Sequence, residues 1–128
     1  MNKLIIDATK NKIFLMIISR NSKYSITHEN TKTNYEKLTL LIKEFLEKKK
    51  LSLESISQIY VNRGPGSFAG IRNSFSIVKA FHLAHKIDYY SFSFDDFKEK
   101  IEVKYENIPK LCEKFKVEKN LINPIYLS

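Results

Sequence analysis

The hydrophobic pattern of this chain changes its period once, near residue 33. Before that point, apolar or alternating stretches are separated by turn-forming residues, which predicts an antiparallel meander of strands at Leu4–Asp7, Lys12–Ser19 and Tyr24–His28. After it, helical spacing alternates with short apolar stretches. This part predicts two strands, at Gln58–Val61 and Asp88–Phe92. It also predicts a helix from a Thr33–Glu36 capping box to about Lys49 and a second helix at 68–85. A short helix opened by Ser93 and Asp96 and a last helix at Glu102–Glu118 follow.

The expected order of elements, β-β-β-α-β-α-β-α, is that of the ribonuclease-H-like fold and of one lobe of the actin-like (ASKHA) superfamily. It predicts an α/β fold: a single lobe with a mixed sheet and helices on both faces, since parallel strands are joined by right-handed crossovers. We expect this lobe over residues 1–95, with a short helical segment and tail over 96–128. Loops that carry sites lie at the carboxyl ends of such strands, where Asp7 and a glycine-rich loop both fall.

Composition limits the kind of protein further. The chain has 128 residues and 43% hydrophobic content, which suits one domain with one core. No apolar run approaches the roughly 20 residues that cross a membrane. The single cysteine, Cys112, excludes an internal disulfide and fits a reducing cytoplasm. The formal net charge is +8, and the basic excess lies in residues 1–94, which either attracts phosphate-bearing partners or reflects a lysine-rich composition.

All three glycines of the chain lie in one stretch, NRGPGSFAGIR at 62–72. Glycine is needed where φ is positive or where another backbone comes close, and we expect a positive φ within 64–66. The loop either only turns the chain from strand to helix, with Ser67 as the helix cap, or also contacts a partner. Two flanking arginines either meet an acidic partner or tRNA phosphate, or brace the loop. The candidate residues are Asp7, Arg63, Gly64, Pro65, Gly66, Ser67, Phe68, Gly70 and Arg72.

The residues at this edge argue against catalysis by this chain. A two-metal nuclease needs carboxylates clustered on neighbouring elements. Asp7 could supply one, but the fourth predicted strand is followed by Asn62 and Arg63 rather than by an acid. A nucleotide-binding lobe of the actin-like kind wraps phosphates with a glycine-bearing first hairpin, and this hairpin reads DATKNK. The glycine loop lacks the spacing and the lysine of a P-loop. We therefore expect no catalytic residue, no metal and no cofactor.

Two motifs carry a family resemblance. IDAT at Ile6–Thr9 and RGPGSFAGIR at Arg63–Arg72 resemble the TsaB (YeaZ) family, inactive paralogues of TsaD/Gcp-like proteins, and PIYL at Pro124–Leu127 is similar to the end of family members. The chain departs from the family pattern at Asn62, at Ala69 and at Asn73–Ser74. The resemblance covers about residues 1–95 and the last few, so the chain looks like a shortened form without most of the usual second subdomain.

The resemblance implies a cytoplasmic, non-catalytic subunit that supports a TsaD-like catalytic subunit in threonylcarbamoyladenosine modification of tRNA. It also implies a TsaE-like ATPase in the assembly, indirect or weak tRNA contact, and a weaker homodimer through the partner surface. Helices can pack side by side across such a surface. The interface candidates on helices 34–49 and 68–85 are Leu38, Leu41, Phe45, Phe75 and Val78.

A second hypothesis belongs to another class. Related proteins have been described as peptidases, so the chain could be a small stand-alone hydrolase or peptidase of the Gcp-like superfamily with Asp7 in its site. Such an enzyme needs a nucleophile with a base in reach, and Ser67 has no base near it in sequence. The residues therefore favour the scaffold.

Overall fold

The computed structural model of the protein describes residues 1–98 and 102–126, in which a five-stranded mixed sheet is covered by helices. The strands are β1 (Asn2–Asp7), β2 (Lys12–Ile18), β3 (Lys23–Glu29), β4 (Ile56–Asn62) and β5 (Asp88–Phe92). The helices are α1 (Lys32–Glu36), α2 (Leu38–Lys48), α3 (Phe68–His85) and α4 (Ile108–Lys114). Short 3₁₀ turns lie at Leu53–Ser55, Phe94–Asp96 and Tyr105–Asn107. All five predicted strands are confirmed, each within two residues at either end.

The strands lie in the order β3-β2-β1-β4-β5. The first three form the predicted antiparallel meander, and β4 and β5 continue the sheet in parallel with β1. Ile6 lies opposite Val61, so that β1 and β4 end side by side at the same edge. This topology confirms the predicted ribonuclease-H-like lobe and brings the residues after β1 next to the residues after β4.

Successive residues of β1 point to opposite faces of the sheet, and each face has its own core. Leu4 and Ile6 belong to a cluster with buried side chains of α1, α2 and α3. Ile5 belongs to a second cluster with Tyr60, Phe92 and residues of α4. Fully burying one apolar side chain of this kind stabilises the fold by roughly 1.5–3 kcal/mol. Helices therefore cover both faces, as predicted.

The first helical stretch begins and divides differently from the prediction. Its N-cap is Thr31, whose side chain accepts a hydrogen bond from the Asn34 backbone at 3.1 Å, so the predicted Thr33–Glu36 capping box is wrong. The stretch is also two helices, because Lys37 lies between α1 and α2 with φ −92° and ψ 9°. An N-cap residue has an extended backbone rather than a helical one. Thr31 has this backbone, with φ −84° and ψ 157°, and is therefore the cap.

The last predicted helix is too long. Instead of one helix over 102–118, the chain forms a 3₁₀ turn at Tyr105–Asn107 and then α4. Pro109 lies in the first turn of α4, where its missing N–H costs nothing. The helix ends before Lys116, which adopts the left-handed conformation with φ 53°. In the part of the chain that the structure describes, no helix is both long and apolar enough to cross a membrane.

Candidate functional site at the carboxyl edge of the sheet

Asp7 and Asn62 meet at the carboxyl edge because each closes one of two neighbouring parallel strands, β1 and β4. Both side chains are buried. The Asn62 amide donates a hydrogen bond to Asp7 Oδ2 at 3.0 Å, and its Oδ1 accepts one from the Gly64 backbone at 2.9 Å. Asn62 therefore occupies the place where a second carboxylate would be needed for a two-metal site, and it links Asp7 to the glycine loop.

The Asp7 carboxylate accepts hydrogen bonds on both oxygens. Oδ1 accepts from the Thr9 backbone at 3.0 Å and from the Thr9 hydroxyl at 2.6 Å. Oδ2 accepts from Asn62 and from the Tyr105 hydroxyl at 2.5 Å. An ionised carboxylate offers about four acceptor positions, and four donors of the same chain contact this one. Asp7 is thus held as a structural anion, with its lone pairs already engaged.

Tyr105 closes this edge from the C-terminal segment. Its ring stacks on Phe14 with centroids 4.1 Å apart and lies edge-on to Phe94 at 5.6 Å. Burial, together with the neighbouring Asp7 carboxylate, raises the pKa of Tyr105 well above its ordinary value. The hydroxyl therefore remains protonated and donates to Asp7 over the whole physiological pH range. Sequence reasoning missed Tyr105, because no local pattern marks a contact 98 positions away.

The positive φ predicted within residues 64–66 is that of Gly64. Its φ is +108°, and a Cβ added there would lie 2.3 Å from the Ile125 carbonyl oxygen. The Ile125 backbone N–H also donates to the Arg63 carbonyl at 2.6 Å. The tail thus packs directly on the loop. Of the PIYL stretch, residues 124–126 make up this part of the tail, and Leu127 lies outside the described residues.

The other two glycines are required by the turn after β1. A Cβ at Gly66 would lie 2.4 Å from the Thr9 carbonyl oxygen, and a Cβ at Gly70 would lie 1.7 Å from the Ala8 carbonyl oxygen. Ser67 caps α3 as predicted, since its Oγ accepts from the Gly70 backbone at 3.1 Å. Its own backbone N–H donates to the Thr9 carbonyl at 2.9 Å. The loop is therefore shaped by contact with its own chain.

Arg63 braces the loop. Its guanidinium donates to Asp96 through Nη2 at 2.6 Å and through Nε at 3.2 Å, and to the Asn123 carbonyl through Nη1 at 3.1 Å. The side chains of Arg63 and Asp96 are only 17% and 25% exposed. The two predicted alternatives for the flanking arginines were contact with a partner or tRNA and bracing of the loop, and Arg63 braces the loop. The Ser93–Asp96 pattern did mark a capping box, and Asp96 both accepts from the Ser93 backbone and pairs with Arg63.

Arg72 differs from Arg63. It lies exposed on α3 and lines a groove of about 450 Å³ between α1 and α3, together with Lys32, Glu36 and Ser76. Among residues 1–98 and 102–126, its guanidinium has no hydrogen bond or ion pair. Pro65 is also exposed, and Phe68 is 54% exposed with its ring 4.7 Å from that of Tyr126. The outward-facing members of the predicted set are thus these three.

The five interface candidates lie in the core. Leu38, Leu41, Phe45, Phe75 and Val78 are all buried, and all but Leu41 belong to the cluster between the helices and the sheet. The helical periodicity that selected them marks the inward face of each helix. The exposed apolar side chains of the same helices are Leu40, which is 50% exposed, and Leu83, which is 71% exposed. Any contact through α2 and α3 has to use these neighbours.

Within the described ranges, no three His, Cys, Asp or Glu side chains lie close enough to hold a metal ion. Cys112 is buried and unpaired, and burial raises the pKa of its thiol to about 12.

Taken together, the five-stranded sheet and its edge define a ribonuclease-H-like lobe, and solved structures share this fold. YeaZ from Pseudomonas aeruginosa superimposes with a TM-score of 0.66 at 18% identity, over 72% of this chain and 43% of that one. Thermus thermophilus RuvC, in complex with a Holliday junction substrate, has a TM-score of 0.53 at 9% identity, over 77% of this chain and 68% of that one. These likenesses concern the fold alone.

Sequence comparison identifies the family within this fold. The profile described as "TsaD: tRNA N6-adenosine threonylcarbamoyltransferase" matches residues 25–93, which is more than half of the chain. The tRNA threonylcarbamoyladenosine biosynthesis protein TsaB of Buchnera aphidicola subsp. Baizongia pistaciae is 30% identical over 80 residues, 62% of this chain and 36% of that protein. TsaB of Buchnera aphidicola subsp. Schizaphis graminum is 28% identical over 90 residues, 70% of this chain and 43% of that protein.

The chain belongs to the TsaB (YeaZ) branch of this TsaD-like family. It spans less than half the length of the two curated relatives it matches. The described motifs agree with this membership, since the IDAT turn and the glycine loop contact each other in the fold through Ala8, Thr9, Gly66 and Gly70.

Proposed function

We propose that this chain is a non-catalytic subunit in the threonylcarbamoyladenosine modification of tRNA, where it supports a TsaD-like catalytic subunit in the cytoplasm. A TsaE-like ATPase joins the same assembly, and tRNA is contacted mainly through the catalytic partner. Membership in the TsaB branch supports the pathway, because both curated relatives are named as tRNA threonylcarbamoyladenosine biosynthesis proteins.

The observation that supports a non-catalytic role is the hydrogen bonding of the Asp7 carboxylate. Its carboxylate is buried and accepts from Thr9, Asn62 and Tyr105. A general base or a metal ligand needs a free lone pair that faces the substrate. The alternative of a stand-alone hydrolase or peptidase needs the same group free, and Ser67 is already the cap of α3. The scaffold is therefore the better supported function.

The partner surface that we propose is the outer face of α2 and α3. Leu40 and Leu83 supply exposed apolar area, and Arg72 supplies a charge with no partner in the described ranges. The α3 sequence, FAGIRNSFSIVKAFHLAH, has no acidic residue. A partner helix with an apolar stripe and flanking carboxylates would complement this face.

The test is binding of the full chain to a TsaD-like protein from the same genome, measured by light scattering after size exclusion and by titration calorimetry. We expect a 1:1 complex that Leu83→Asp weakens at least about tenfold, since a charge replaces an exposed apolar contact at the interface. Ile122→Asp is the matched control, because Ile122 is 39% exposed on the tail. Equal effects of the two substitutions, or no complex at micromolar concentration, would contradict the proposed surface.

A second measurement separates scaffold from enzyme. Modified nucleoside is quantified in a reconstituted reaction that contains the catalytic subunit, the ATPase and either wild-type chain or Asp7→Asn. The scaffold predicts that Asp7→Asn lowers activity only as far as it lowers folded protein, which circular dichroism reports. An enzyme that used Asp7 would lose turnover while the folded fraction stayed high.

A further inference from the structure

A pocket of about 450 Å³ lies on the face of the sheet that α4 covers, opposite to α1, α2 and α3. Its floor comes from three neighbouring strands, β1, β4 and β5, whose side chains Lys3, Gln58, Tyr60 and Tyr90 point to this face. One wall is formed by α4 and the turn that follows it. A cavity of this volume is typical of a site for a small molecule.

Three lysines line this pocket, and each comes from a different element. Lys3 lies on β1, Lys110 on α4 and Lys116 in the turn after α4. In the part of the chain that the structure describes, none of their ammonium groups has a hydrogen bond or an ion pair. Glu113 is the one acid among the described lining residues, so three lysines against one glutamate leave an excess of two positive charges. The pocket therefore attracts an anion.

Gln58 adds a neutral donor whose orientation is fixed. The Tyr60 hydroxyl donates a hydrogen bond to Gln58 Oε1 at 3.0 Å, and Tyr60 is buried. Burial raises the pKa of Tyr60 well above its ordinary value, so its hydroxyl remains protonated and keeps this role at physiological pH. With its oxygen engaged, the Gln58 amide presents its NH₂ group to a ligand. Cations and amide donors together suit a ligand with several acceptor oxygens, as a phosphate has.

The other lining side chains are aromatic or apolar. The rings of Tyr60 and Tyr90 stack with centroids 5.2 Å apart and an angle of 12° between their planes. Pro109, Cys112 and Val117 line the same pocket, and Cys112 adds no charge because burial raises the pKa of its thiol to about 12. Aromatic surface of this kind suits a flat ring. The pocket thus combines a surface for a ring with groups for an anion.

The tail closes this region on the β5 side. The Asn120 backbone N–H donates to the Tyr89 carbonyl at 2.7 Å, and Lys119 forms a bridge with Tyr90. The acid of β5, Asp88, lies 3.7 Å from the Lys119 ammonium and accepts from the Asn120 side chain at 3.0 Å. Because the tail already pairs with Asp88, the lysines of the pocket remain available to a ligand.

We propose that this pocket binds a small phosphorylated compound with a flat ring, such as a mononucleotide. The lysines contact the phosphate oxygens, the Gln58 amide donates to a further acceptor, and the ring packs against the tyrosine pair. The site lies on the opposite face of the sheet from the proposed partner surface on α2 and α3, so this inference does not rest on the proposed function.

The experiment is titration calorimetry of the full chain with adenosine monophosphate, adenosine and inorganic phosphate, each up to about 5 mM. We expect the monophosphate to bind with 1:1 stoichiometry and at least about tenfold more tightly than adenosine or phosphate, because each of these makes only part of the contacts. In NMR spectra of the labelled chain, the monophosphate should shift the amide signals of Lys3, Gln58 and Tyr90. No saturable binding, or shifts confined to the glycine loop or α3, would overturn the proposal.

Two substitutions test the pocket itself. Gln58→Glu is nearly isosteric and still accepts from Tyr60, but it adds a negative charge beside the phosphate. Lys116→Asn removes a cation and retains a residue type that tolerates the left-handed backbone, since Lys116 has φ 53°. Each variant should bind the monophosphate at least about threefold more weakly, as expected for the change of one partly exposed charge.

Lys79→Gln is the matched control. It lowers the net charge by one unit, as the other two substitutions do, but on the exposed side of α3, and it should leave binding unchanged. Thermal melts verify that all three variants are folded. An equal loss in Lys79→Gln would show general attraction to a basic protein, and unchanged affinity in both Gln58→Glu and Lys116→Asn would place the ligand elsewhere. Either result would overturn the proposal.

Discussion

The Tyr105 hydroxyl lies 2.5 Å from Asp7 Oδ2, although the two residues are 98 positions apart in the chain. The contact joins the end of β1 to the segment that precedes α4. It places a neutral donor on a buried carboxylate, which is how a buried charge is kept stable without a cation. The packing of this C-terminal segment on the carboxyl edge depends on the pair. Four predictions follow from it and from the surrounding contacts.

Tyr105→Phe should lower the free energy of unfolding by about 1–3 kcal/mol, because the hydrogen bond to a charged acceptor is lost and the ring contact with Phe14 is kept. Chemical denaturation at pH 7 measures the change. Tyr24→Phe is the matched control: Tyr24 is 38% exposed, and Lys49 still contacts a phenyl ring there, so its stability should stay within about 0.5 kcal/mol of wild type. Equal losses in both variants would show that the Asp7 contact is not special.

Alkaline pH should destabilise the protein through Cys112 and Tyr105. Burial raises the pKa of Cys112 from 9.0 to about 12 and raises that of Tyr105 above 10.0, so the folded state holds both protons more tightly than the unfolded state. This stabilisation is complete below the unfolded pKa values and is lost as pH rises above them, at up to about 1.4 kcal/mol per pH unit for each group.

The measurement is urea unfolding at half-unit steps from pH 8 to 11. The decline of wild type should begin near pH 9, and Cys112→Ala should flatten it between pH 9 and 10, whereas Tyr105→Phe should flatten it only above pH 10. Each variant is compared with itself at pH 8, so that its lower baseline stability cancels. Parallel pH curves for all three proteins would contradict the assignment.

Gly70→Ala should destabilise the fold by about 1–3 kcal/mol, since the added methyl group would lie 1.7 Å from the Ala8 carbonyl oxygen and the backbone must move. Thermal melts measure the loss. Ala69→Ser is the neighbouring control, because Ala69 is exposed at the start of the same helix. If Gly70→Ala melted like the control, the close approach of the β1 turn to α3 would be wrong.

The two arginines that flank the loop should behave oppositely. Arg63→Ala should cost about 1–3 kcal/mol of stability, because the partly buried Asp96 loses its cationic partner and keeps only the Ser93 backbone donor, and the Asn123 carbonyl loses the Arg63 donor. Arg72→Ala should leave stability within about 0.5 kcal/mol and instead weaken the complex with a TsaD-like protein. Melting temperature and titration calorimetry on both variants separate the roles. A stable Arg63→Ala protein with lost binding would reverse the assignment.

The fold was predictable because its signals are local. The alternation of β3 and the helical spacing of α3 are each contained in one stretch, and both elements were placed within a residue of their observed ends. Helix ends were less predictable: Thr31 and Thr33 are equivalent by residue type, and only the extended backbone of Thr31 decides between them. The apolar spacing around Cys112 continues to Phe115, but the left-handed Lys116 ends the helix.

The site was predictable only in part. Asp7 and the glycine loop were placed at one edge because strand order decides where parallel strands end. The hydrogen-bond partners of Asp7 and Arg63 were not predicted, since Tyr105 and Asn123 reach the edge from segments whose packing depends on the whole fold. The interface candidates turned out to be buried, because a periodic apolar stripe identifies what a helix buries against its own sheet.

The tail along β5 limits how far copies of this protein can associate. Tyr89 exchanges hydrogen bonds with Asn120, and the Ser91 hydroxyl lies 2.6 Å from both the Leu121 carbonyl and the Asn123 side-chain amide, so that edge is closed to an incoming strand. A sheet with two open edges can add chains without end and grow into a fibre. Among the described residues this sheet has one uncovered edge, at β3. A strand added there would leave no second free edge on this chain, so strand addition could not continue through the sheet into a fibre.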